Sequence, residues 1–329
     1  MIQRTEQEIM QNWKTDDKPL VSIACATYNH ENYITEAIES FLMQETDFPF
    51  EVFVHDDCST DNTATVIREY EKKYPNIIKS IYQKENQYSK GVRVTGKFIF
   101  PRAQGKYIAV CEGDDYWTDL LKLQKQVEFM ESNSDYALCY TSATVINDQG
   151  VIINQNKNFG DSSQFDLIAG AGLAILGSVM FRRFDMQEYS EYRIINGDNL
   201  LWHYLGFYGK CKHLEDIKNS IYRVHAGGTW SGRSDTSKLV EAMKTYSLIR
   251  KRIITNVEDN ALLLKKHDLY YPYMFASYFY GRILRLDPKG FTIGLKELKK
   301  ASFIKKHTVF FAFLKHIVRS SSAVLKLKT

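Results

Sequence analysis

Between residues 20 and 147 the chain alternates short apolar runs with stretches of helical periodicity, and this alternation restricts the fold more than any other feature. Runs rich in β-branched and aromatic residues predict strands, and apolar residues three and four positions apart predict helices. The predicted strands are 20–26, 50–55, 77–83, 106–112 and one long strand at 136–146. The predicted helices are 31–44, 63–74 and 118–133, the last capped by Thr118. Such repetition predicts a mostly parallel sheet covered by helices on both faces.

Beyond this region the pattern changes twice. Residues 165–225 mix apolar runs with a helical stretch and two short strands around 211–215 and 219–225, and from 234 onward the sequence is helical. With 44% hydrophobic residues, a chain of 329 residues has ample material for a large core. The predicted domains are an N-terminal helical segment at 1–18, an α/β domain at 19–232 and a helical, basic region at 233–329.

The first residues and the cysteines argue against secretion. Residues 1–18 are polar and lack the apolar core of a signal peptide. No stretch reaches the roughly 18 to 20 apolar residues that a membrane-spanning helix needs. The five cysteines form no CxxC pair, and three of them lie in apolar strand-like runs, which fits buried thiols in a reducing cytosol. We therefore expect a cytoplasmic protein without a zinc or disulfide framework.

The net charge of +4 conceals an asymmetry along the chain. Residues 281–329 hold twelve Lys or Arg against two acids, whereas the first 280 residues carry a net charge of −6. Within 301–319, apolar residues recur at helical spacing between basic ones, a pattern typical of helices that lie in an anionic membrane surface. The alternative is a helix packed on the rest of the protein with solvated lysines. Nucleic acid is not expected as a partner, because no recognised binding module accompanies the basic tail.

Two acidic clusters follow predicted strands directly, and ligands of parallel sheets bind beyond the carboxyl ends of the strands. In the first cluster, residues 55–61 (HDDCSTD), a carboxylate can accept a hydrogen bond from the N–H of a uracil ring, or it can cap the next helix. The second cluster, 112–117 (EGDDYW), places three acids around a glycine, and these acids repel one another unless a cation is present. Carboxylates suit Mg²⁺ or Mn²⁺, and the alternative is a solvated acidic turn.

Two further clusters come later in the chain. Residues 196–199 (NGDN) open a helical stretch, where Asp198 is either an N-cap or a general base that deprotonates a hydroxyl. Residues 222–232 (YRVHAGGTWSG) place His225 at the end of a strand and before two glycines. This histidine is either structural or supplies an imidazole to a metal, with the flexible turn folding over a ligand.

Taken together, these clusters resemble the inverting family 2 glycosyltransferases of the GT-A fold, and the resemblance covers residues 19–232. The matching stretches are, in order, VSIACATYNHENYITEAIESFLMQ, FEVFVHDDCSTDNT, GKYIAVCEGDDYWTDLLKLQKQVEF, the NGD element and YRVHAGGTWSG. The resemblance implies a nucleotide-binding sheet flanked by helices, with a C-terminal helical extension. It also implies an enzyme that transfers a sugar from a nucleotide-sugar, here a UDP-sugar, to a hydroxyl of a glycan or lipid-linked oligosaccharide. The implied cofactor is Mn²⁺ or Mg²⁺, and the implied process is bacterial polysaccharide synthesis.

The same resemblance implies roles for individual residues. Asp198 is the catalytic base, and Asp114 and His225 contact the metal and the diphosphate. The residues implied to bind the nucleotide-sugar are Ala26, Tyr28, Asn29, Asp57, Arg93, Glu112, Gly113 and Asp115, with Tyr28 packed on the base and Asp57 hydrogen-bonded to it. Two positions depart from the family: Cys58 stands where Gly is usual, which is tolerable unless φ must be positive, and Glu112 replaces the first Asp of the acidic element.

Other functions fit the acidic clusters less well. A metal-dependent nucleotidyltransferase also uses clustered acids, but it would show a Gly-rich basic loop after the first strand, where this chain has ATYNHENY. A nicotinamide-dependent oxidoreductase is disfavoured because GxGxxG is missing. A non-catalytic nucleotide-sugar binder is the remaining alternative, and the joint presence of Asp57, Asp114, Asp198 and His225 argues against it.

Overall fold

The computed structural model describes residues 4–14, 18–157, 160–173, 175–192, 194, 197–284 and 287–300. The chain divides into two compact units. The first unit is drawn from residues 1–167, 172–193 and 204–225, and the second from 168–171, 194–203 and 226–329. The second unit therefore takes two short segments from inside the range 19–232 as well as the C-terminal region.

Ten strands occur in the described residues. They are β1 (Val21–Thr27), β2 (Phe50–Asp56), β3 (Ile78–Tyr82), β4 (Tyr107–Val110), β5 (Tyr136–Thr141), β6 (Ala143–Asn147), β7 (Ile152–Lys157), β8 (Val179–Arg182), β9 (Lys210–Leu214) and β10 (Ser220–Val224). The α-helices of the same residues are α1 (Glu6–Met10), α2 (Ile34–Leu42), α3 (Thr63–Lys73), α4 (Lys122–Ser132), α5 (Gln164–Ile168), α6 (Gln187–Glu191), α7 (Gly197–Gly206), α8 (Asp235–Asn256), α9 (Ala261–His267), α10 (Tyr270–Leu284) and α11 (Pro288–Lys300).

Seven strands form the main sheet of the first unit, in the order β3-β2-β1-β4-β8-β5-β9. Strand β8 runs antiparallel to its neighbours β4 and β5, and the other pairs are parallel. A smaller sheet has the order β10-β6-β7, with β10 parallel to β6. This architecture confirms the predicted α/β fold with a mostly parallel sheet. It also places the carboxyl ends of β2, β1 and β4 side by side at one edge.

The core of the first unit lies on the two faces of the main sheet. Strands β1 and β2 are almost completely buried, which explains why apolar residues occupy consecutive positions in them, such as Val52, Phe53 and Val54 in β2. Helix α2 buries one face through residues three and four positions apart, among them Ile34, Ile38 and Phe41. The ring of Phe41 packs edge-on against Trp117, with 4.9 Å between the ring centroids. Because Trp117 ends the acidic cluster at 112–117, the core anchors that cluster directly.

Two predictions for this unit are wrong in detail. The predicted strand at 136–146 is two strands, β5 and β6, which separate at Ser142 and belong to different sheets. An apolar run shows burial but not the partner strand, so the change of sheet leaves no trace in the pattern. The predicted cap at Thr118 is also wrong: α4 begins at Lys122, and the Thr118 hydroxyl donates instead to the carbonyl oxygen of Asn219 at 2.7 Å.

Among the described residues beyond 234, the chain is helical up to Lys300, as predicted. Helix α8 begins after Ser234, whose side chain accepts a hydrogen bond from the N–H of Ser237. Apolar side chains of α8 and α10 form the core of the second unit: Leu239, Met243, Phe275, Tyr278 and Phe279. Among the described residues, none of the helices combines the length and the apolar character required to cross a membrane. The segment 301–319 lies outside the described residues.

Candidate donor-binding and metal site

Three loops and the end of β10 converge at the carboxyl edge of the main sheet. The loops follow β1, β2 and β4, where the sheet register places Thr27 beside Asp56. Strand β10 is joined to the β4 loop because Tyr116 and Ile221 form an antiparallel bridge, with the N–H of Ile221 donating to the carbonyl oxygen of Tyr116 at 2.8 Å. This bridge brings His225, which directly follows β10, to the acidic cluster.

Asp114 is the centre of this arrangement. Its Oδ2 atom lies 2.9 Å from Nε2 of His225 and 3.8 Å from Nε2 of His30. Burial by itself would raise the pKa of Asp114, but the hydrogen bond to His225 and the nearby His30 imidazole outweigh it and hold the pKa below its usual range. The structure therefore brings together the two residues predicted to bind metal, and it adds His30, which the sequence analysis missed.

Asp115 has a structural role in the same loop. It is buried, and its Oδ1 accepts a hydrogen bond from the backbone N–H of Arg223 at 2.9 Å. Burial, together with the negative charges of Asp114 and Glu112, raises the pKa of Asp115 well above its usual range. The Arg223 side chain in turn donates from Nε to the carbonyl oxygen of Asp114 at 3.1 Å and from Nη2 to Glu36 at 2.6 Å. These bonds fix the acidic loop against β10.

Gly113 allows the acidic loop to approach β1 closely. Its backbone N–H donates to the carbonyl oxygen of Ala26 at 2.9 Å. A Cβ atom added at this position would lie 2.7 Å from the Thr27 side chain and 3.1 Å from Nδ1 of His30. Only glycine fits between these side chains without displacing them, so the loops after β1 and β4 require this residue type here.

Asp57 and Tyr28 lie at the ends of β2 and β1, as predicted. Asp57 is buried, and its two carboxylate oxygens accept the backbone N–H groups of Gln87 and Tyr88, each at 2.9 Å. A carboxylate oxygen offers about two lone-pair sites, so each oxygen retains one for a further donor. Tyr28 is 41% exposed, as a side chain that receives a ligand must be.

Two non-glycine residues of this edge adopt the left-handed backbone conformation. Asn29 has a φ of 55°, and its Oδ1 accepts the N–H of Thr60 at 2.8 Å, which joins the β1 and β2 loops. Cys58 has a φ of 65° at the position where the family usually has glycine. A residue with a Cβ atom pays about 1–2 kcal/mol for this conformation. Cysteine was expected to be tolerable at this position unless φ must be positive. Because φ is positive here, Cys58 is less favourable than the glycine usual in the family.

Arg93 contacts partners that the sequence analysis did not anticipate. Its Nη1 donates to the Tyr189 hydroxyl at 2.6 Å, and its guanidinium lies over that ring, 4.4 Å from the centroid. It also lines a cavity of about 890 Å³ formed by residues 91–101 and 183–192, and none of the acidic residues at 112–115 is among the residues lining that cavity.

Asp198 belongs to the second unit, in the first turn of α7. Its Oδ1 accepts the N–H of Asn199 at 2.9 Å. The part of α7 that belongs to this unit is held by His203, whose Nδ1 lies 2.7 Å from the carbonyl oxygen of Ile168 and whose Nε2 accepts from Nε of Arg252 at 3.3 Å. The carboxylate is therefore carried by a helix that is anchored through buried hydrogen bonds.

The residues around Asp114 fit a divalent cation. Two overlapping sets of donors each have their ligand atoms within 4.8 Å of one another: His30, Asp114 and His225, and Glu112, Asp114 and Asp115. Carboxylates and neutral imidazoles are the ordinary protein ligands of divalent ions. In addition, Nδ1 of His30 and Oγ1 of Thr27 are buried beside Gly113 without a hydrogen-bond partner. The polar atoms at this edge are therefore not all hydrogen-bonded within the protein.

Comparison with known proteins identifies relatives along most of the chain. An uncharacterized protein of Mycobacterium tuberculosis is 34% identical over 229 residues, which are 67% of this chain and 64% of that protein. The glycosyltransferase WfaP of Escherichia coli, named as a UDP-Glc:alpha-D-GlcNAc-diphosphoundecaprenol beta-1,3-glucosyltransferase, is 30% identical over 212 residues, 63% of this chain and 78% of that protein. The match therefore spans less than two thirds of the mycobacterial relative.

Solved structures share the fold. S. aureus TarS in complex with UDP-GlcNAc has a TM-score of 0.63 at 19% identity, covering 88% of this chain and 82% of that chain. The Pyrobaculum calidifontis mannosyltransferase PcManGT, in complex with GDP-Man and Mn²⁺, has a TM-score of 0.55 at 14% identity, covering 96% and 91%. The family model described as "Glycosyl transferase family 2" matches residues 22–190, which carry β1 to β8 and the loops that converge on Asp114. The chain belongs to glycosyl transferase family 2.

Proposed function

We propose that this protein transfers a sugar from a UDP-sugar to a hydroxyl of a glycan or lipid-linked oligosaccharide, with inversion at the anomeric carbon. The observation that carries the proposal is the convergence of Asp57, Asp114 and His225 at the carboxyl edge of the sheet in a family 2 chain. The complex of TarS with UDP-GlcNAc and the name of WfaP, both of which refer to UDP-sugars, support the choice of donor.

The nucleotide end of the donor is assigned to the loops after β1 and β2. The exposed ring of Tyr28 offers a face on which a uracil can stack. The remaining lone pairs of the Asp57 carboxylate can accept the uracil N–H, while the N–H groups of Gln87 and Tyr88 hold the carboxylate in place. We assign Ala26, Asn29 and Gly113, in the loops after β1 and β4, to donor binding as well.

The diphosphate end is assigned to Asp114 and His225, which would hold a divalent cation. When bound, such a cation supplies Lewis-acid stabilisation of the charge that gathers on the departing nucleoside diphosphate. Asp114 supplies negative charge at the end of β4, and Arg223 and Asp115 keep its loop fixed against β10. The presence of Mn²⁺ together with GDP-Man in the PcManGT complex supports a divalent ion as part of donor binding. Glu112 is assigned to the donor sugar or ribose.

Asp198 is assigned as the general base. Its carboxylate would take the proton of the acceptor hydroxyl as the hydroxyl oxygen attacks the anomeric carbon. The bond to the diphosphate oxygen breaks as the new glycosidic bond forms on the opposite face, so a single displacement inverts the configuration. Nucleoside diphosphate leaves with the bonding electron pair.

Release of nucleoside diphosphate tests this proposal. The full chain is incubated with Mn²⁺ and, separately, UDP-Glc, UDP-GlcNAc, GDP-Man and dTDP-Glc, without an acceptor, so that water replaces the acceptor hydroxyl. We expect UDP to be released from at least one UDP-sugar. Time-resolved proton NMR should first detect the β-anomer of the sugar released from the α-linked donor.

Other outcomes of this experiment contradict the proposal. Binding of UDP-sugars with no release, even with a panel of glycan acceptors, would indicate a non-catalytic binder. In a parallel incubation with a nucleoside triphosphate and a sugar 1-phosphate, formation of pyrophosphate would indicate a nucleotidyltransferase. Initial appearance of the α-anomer would contradict inversion alone.

The acceptor and the location are proposed from the sequence and the relatives. The name of WfaP includes a lipid diphosphate acceptor, and a lipid-linked acceptor requires an enzyme at a membrane surface. We assign that contact to 301–319, with the protein on the cytoplasmic face. Full-length protein should sediment with vesicles that contain anionic lipid, and Lys305→Glu combined with Lys306→Glu should weaken membrane binding by about 30-fold or more, since each basic residue near such a surface contributes about 1 kcal/mol and the two added acids repel the surface. The matched control reverses the exposed pair Lys72 and Lys73 in α3. Equal binding of both variants would contradict the assignment.

A further inference from the structure

His30 approaches the same carboxylate as His225 from a different part of the chain. It lies between β1 and α2, whereas His225 follows β10. Nε2 of His30 is 3.8 Å from Oδ2 of Asp114, and Nε2 of His225 is 2.9 Å from the same oxygen. The three side chains are largely buried, with exposed fractions of 12% for His30, 13% for Asp114 and 9% for His225. Two imidazoles thus enclose one carboxylate.

The backbone around His30 is fixed before any ligand binds. The N–H of His30 donates to Oγ1 of Thr63 at 2.8 Å, and the N–H of Glu31 donates to Asp61 at 3.1 Å. The preceding residue, Asn29, is in the left-handed conformation and is bonded to Thr60. These contacts attach the β1 loop to the start of α3, so the imidazole is presented from a rigid support.

Ring packing fixes the orientation of both imidazoles. The His30 and His225 rings are 5.8 Å apart between centroids, and Tyr33 packs against His225 at 5.0 Å. Gly113 lies against the other side of His30, where an added Cβ would be 3.1 Å from Nδ1. Nδ1 of His30 has no hydrogen-bond partner although it is buried. The ring faces Asp114 through Nε2, and it is this atom that can bind a ligand there.

The separations of the two imidazoles from the Asp114 oxygen are compatible with one shared ion. Two donor atoms that each lie about 2.1 Å from an ion can be at most about 4.2 Å apart. The separations of 2.9 Å and 3.8 Å from the Asp114 oxygen are both below this limit. Imidazole nitrogen is a ligand that first-row transition ions accept readily, whereas Mg²⁺ strongly prefers oxygen.

We propose that His30 is a third protein ligand of the cation and makes the site select Mn²⁺ over Mg²⁺. The inference rests on the proposed function for the presence of a cation and goes beyond it in assigning the ligand and the preference. With Asp114 and His225 alone, half of the protein ligands are oxygen. When His30 is added, two of the three protein ligand atoms are nitrogen, and the preference of the site shifts toward Mn²⁺.

Mn²⁺ binding to the full chain, without nucleotide, tests the inference by a readout independent of activity. The signal of free aqueous Mn²⁺ in electron paramagnetic resonance gives the affinity, and Mg²⁺ competition gives the preference. For His30→Gln we expect Mn²⁺ affinity to fall roughly 10- to 100-fold, while Mg²⁺ affinity changes less than about threefold because the amide offers an oxygen. The matched control is His213→Gln, which removes another buried imidazole, bonded to Ser142, and should bind Mn²⁺ as the wild type does.

The wild-type protein provides a test that does not depend on folding of the variant. Electron spin-echo modulation of bound Mn²⁺ should detect two coordinated imidazole nitrogens, and one after His30→Gln. A single coordinated imidazole in the wild type, or unchanged Mn²⁺ affinity in His30→Gln, would overturn the inference. If Mn²⁺ binds through one imidazole and UDP is still released, the proposed function stands and only the inference fails. If the wild type binds no Mn²⁺, the metal assignment and the inference fail together.

Discussion

Asp114→Ala is expected to abolish Mn²⁺-dependent UDP binding and to lower turnover by about 10³-fold or more. The variant loses the cation, and with it the positive charge that stabilises the departing diphosphate. Asp114 is the carboxylate that both His30 and His225 approach, so its removal leaves the two imidazoles without the anionic ligand that joins them. Calorimetric titration with UDP, with and without Mn²⁺, measures the binding, and circular dichroism verifies that the variant is folded.

The control for this variant is Asp135→Ala. Asp135 also bears a carboxylate in a salt bridge, but with Lys210 at an exposed site of the first unit, and its removal should leave UDP binding unchanged. If Asp114→Ala retained the full Mn²⁺ dependence of UDP binding, the cation would be held elsewhere. The acidic cluster at 112–117 would then be a structural turn.

Asp198→Asn is expected to lower turnover by about 10²-fold or more while leaving UDP and Mn²⁺ binding close to wild type. Asparagine keeps an oxygen that can accept the N–H of Asn199, so the first turn of α7 should remain intact. What disappears is the negative charge that makes the side chain a base. The measurement compares the rate of UDP release during glycosyl transfer with the affinity for UDP in the same preparation.

Asp166→Asn is the matched control for that variant. Asp166 lies in the short helix α5 and accepts the N–H of Ser163, so the substitution makes the same chemical change in a similar setting. Its turnover should equal that of the wild type. Turnover of Asp198→Asn within a few-fold of the wild type would exclude Asp198 as the base. A loss of UDP affinity as large as the loss of turnover would place it in donor binding instead.

The sequence predicted the strands of the main sheet to within two residues at β1, β2, β3 and β4. At β1, β2 and β4 it could do so because both faces of these strands are buried, and apolar residues at consecutive positions are the direct consequence of that burial. Strand β3 lies at the edge of the sheet and is mostly half-buried. The prediction failed at 136–146, where β5 and β6 are both buried but pair with different partners. Pairing depends on strands distant in the chain, β9 and β10, and a local pattern carries no information about them.

The candidate site shows the same division. The position of Asp57 directly after β2, and of Asp114 and Asp115 in the loop after β4, could be predicted because these residues follow apolar runs, and strand ends are where parallel sheets bind ligands. His30 was missed because an isolated histidine in a loop has no distinguishing pattern. A usable signal was its position three residues after the end of β1, at the same edge as the acids. For Arg93, the contact with Tyr189 could not be read from the sequence either.

By itself the sequence determined the layered α/β architecture, the clustering of acids near strand ends and the helical character of the described residues beyond 234. These features can be predicted because the burial of a strand or helix determines which of its consecutive residues are apolar. Only the tertiary structure decided that His30 and His225 approach the same oxygen of Asp114 and that Asp115 is used to hold Arg223. Those contacts join residues far apart in the chain, and their geometry is fixed by the strand order of the sheet and by the bridge between Tyr116 and Ile221.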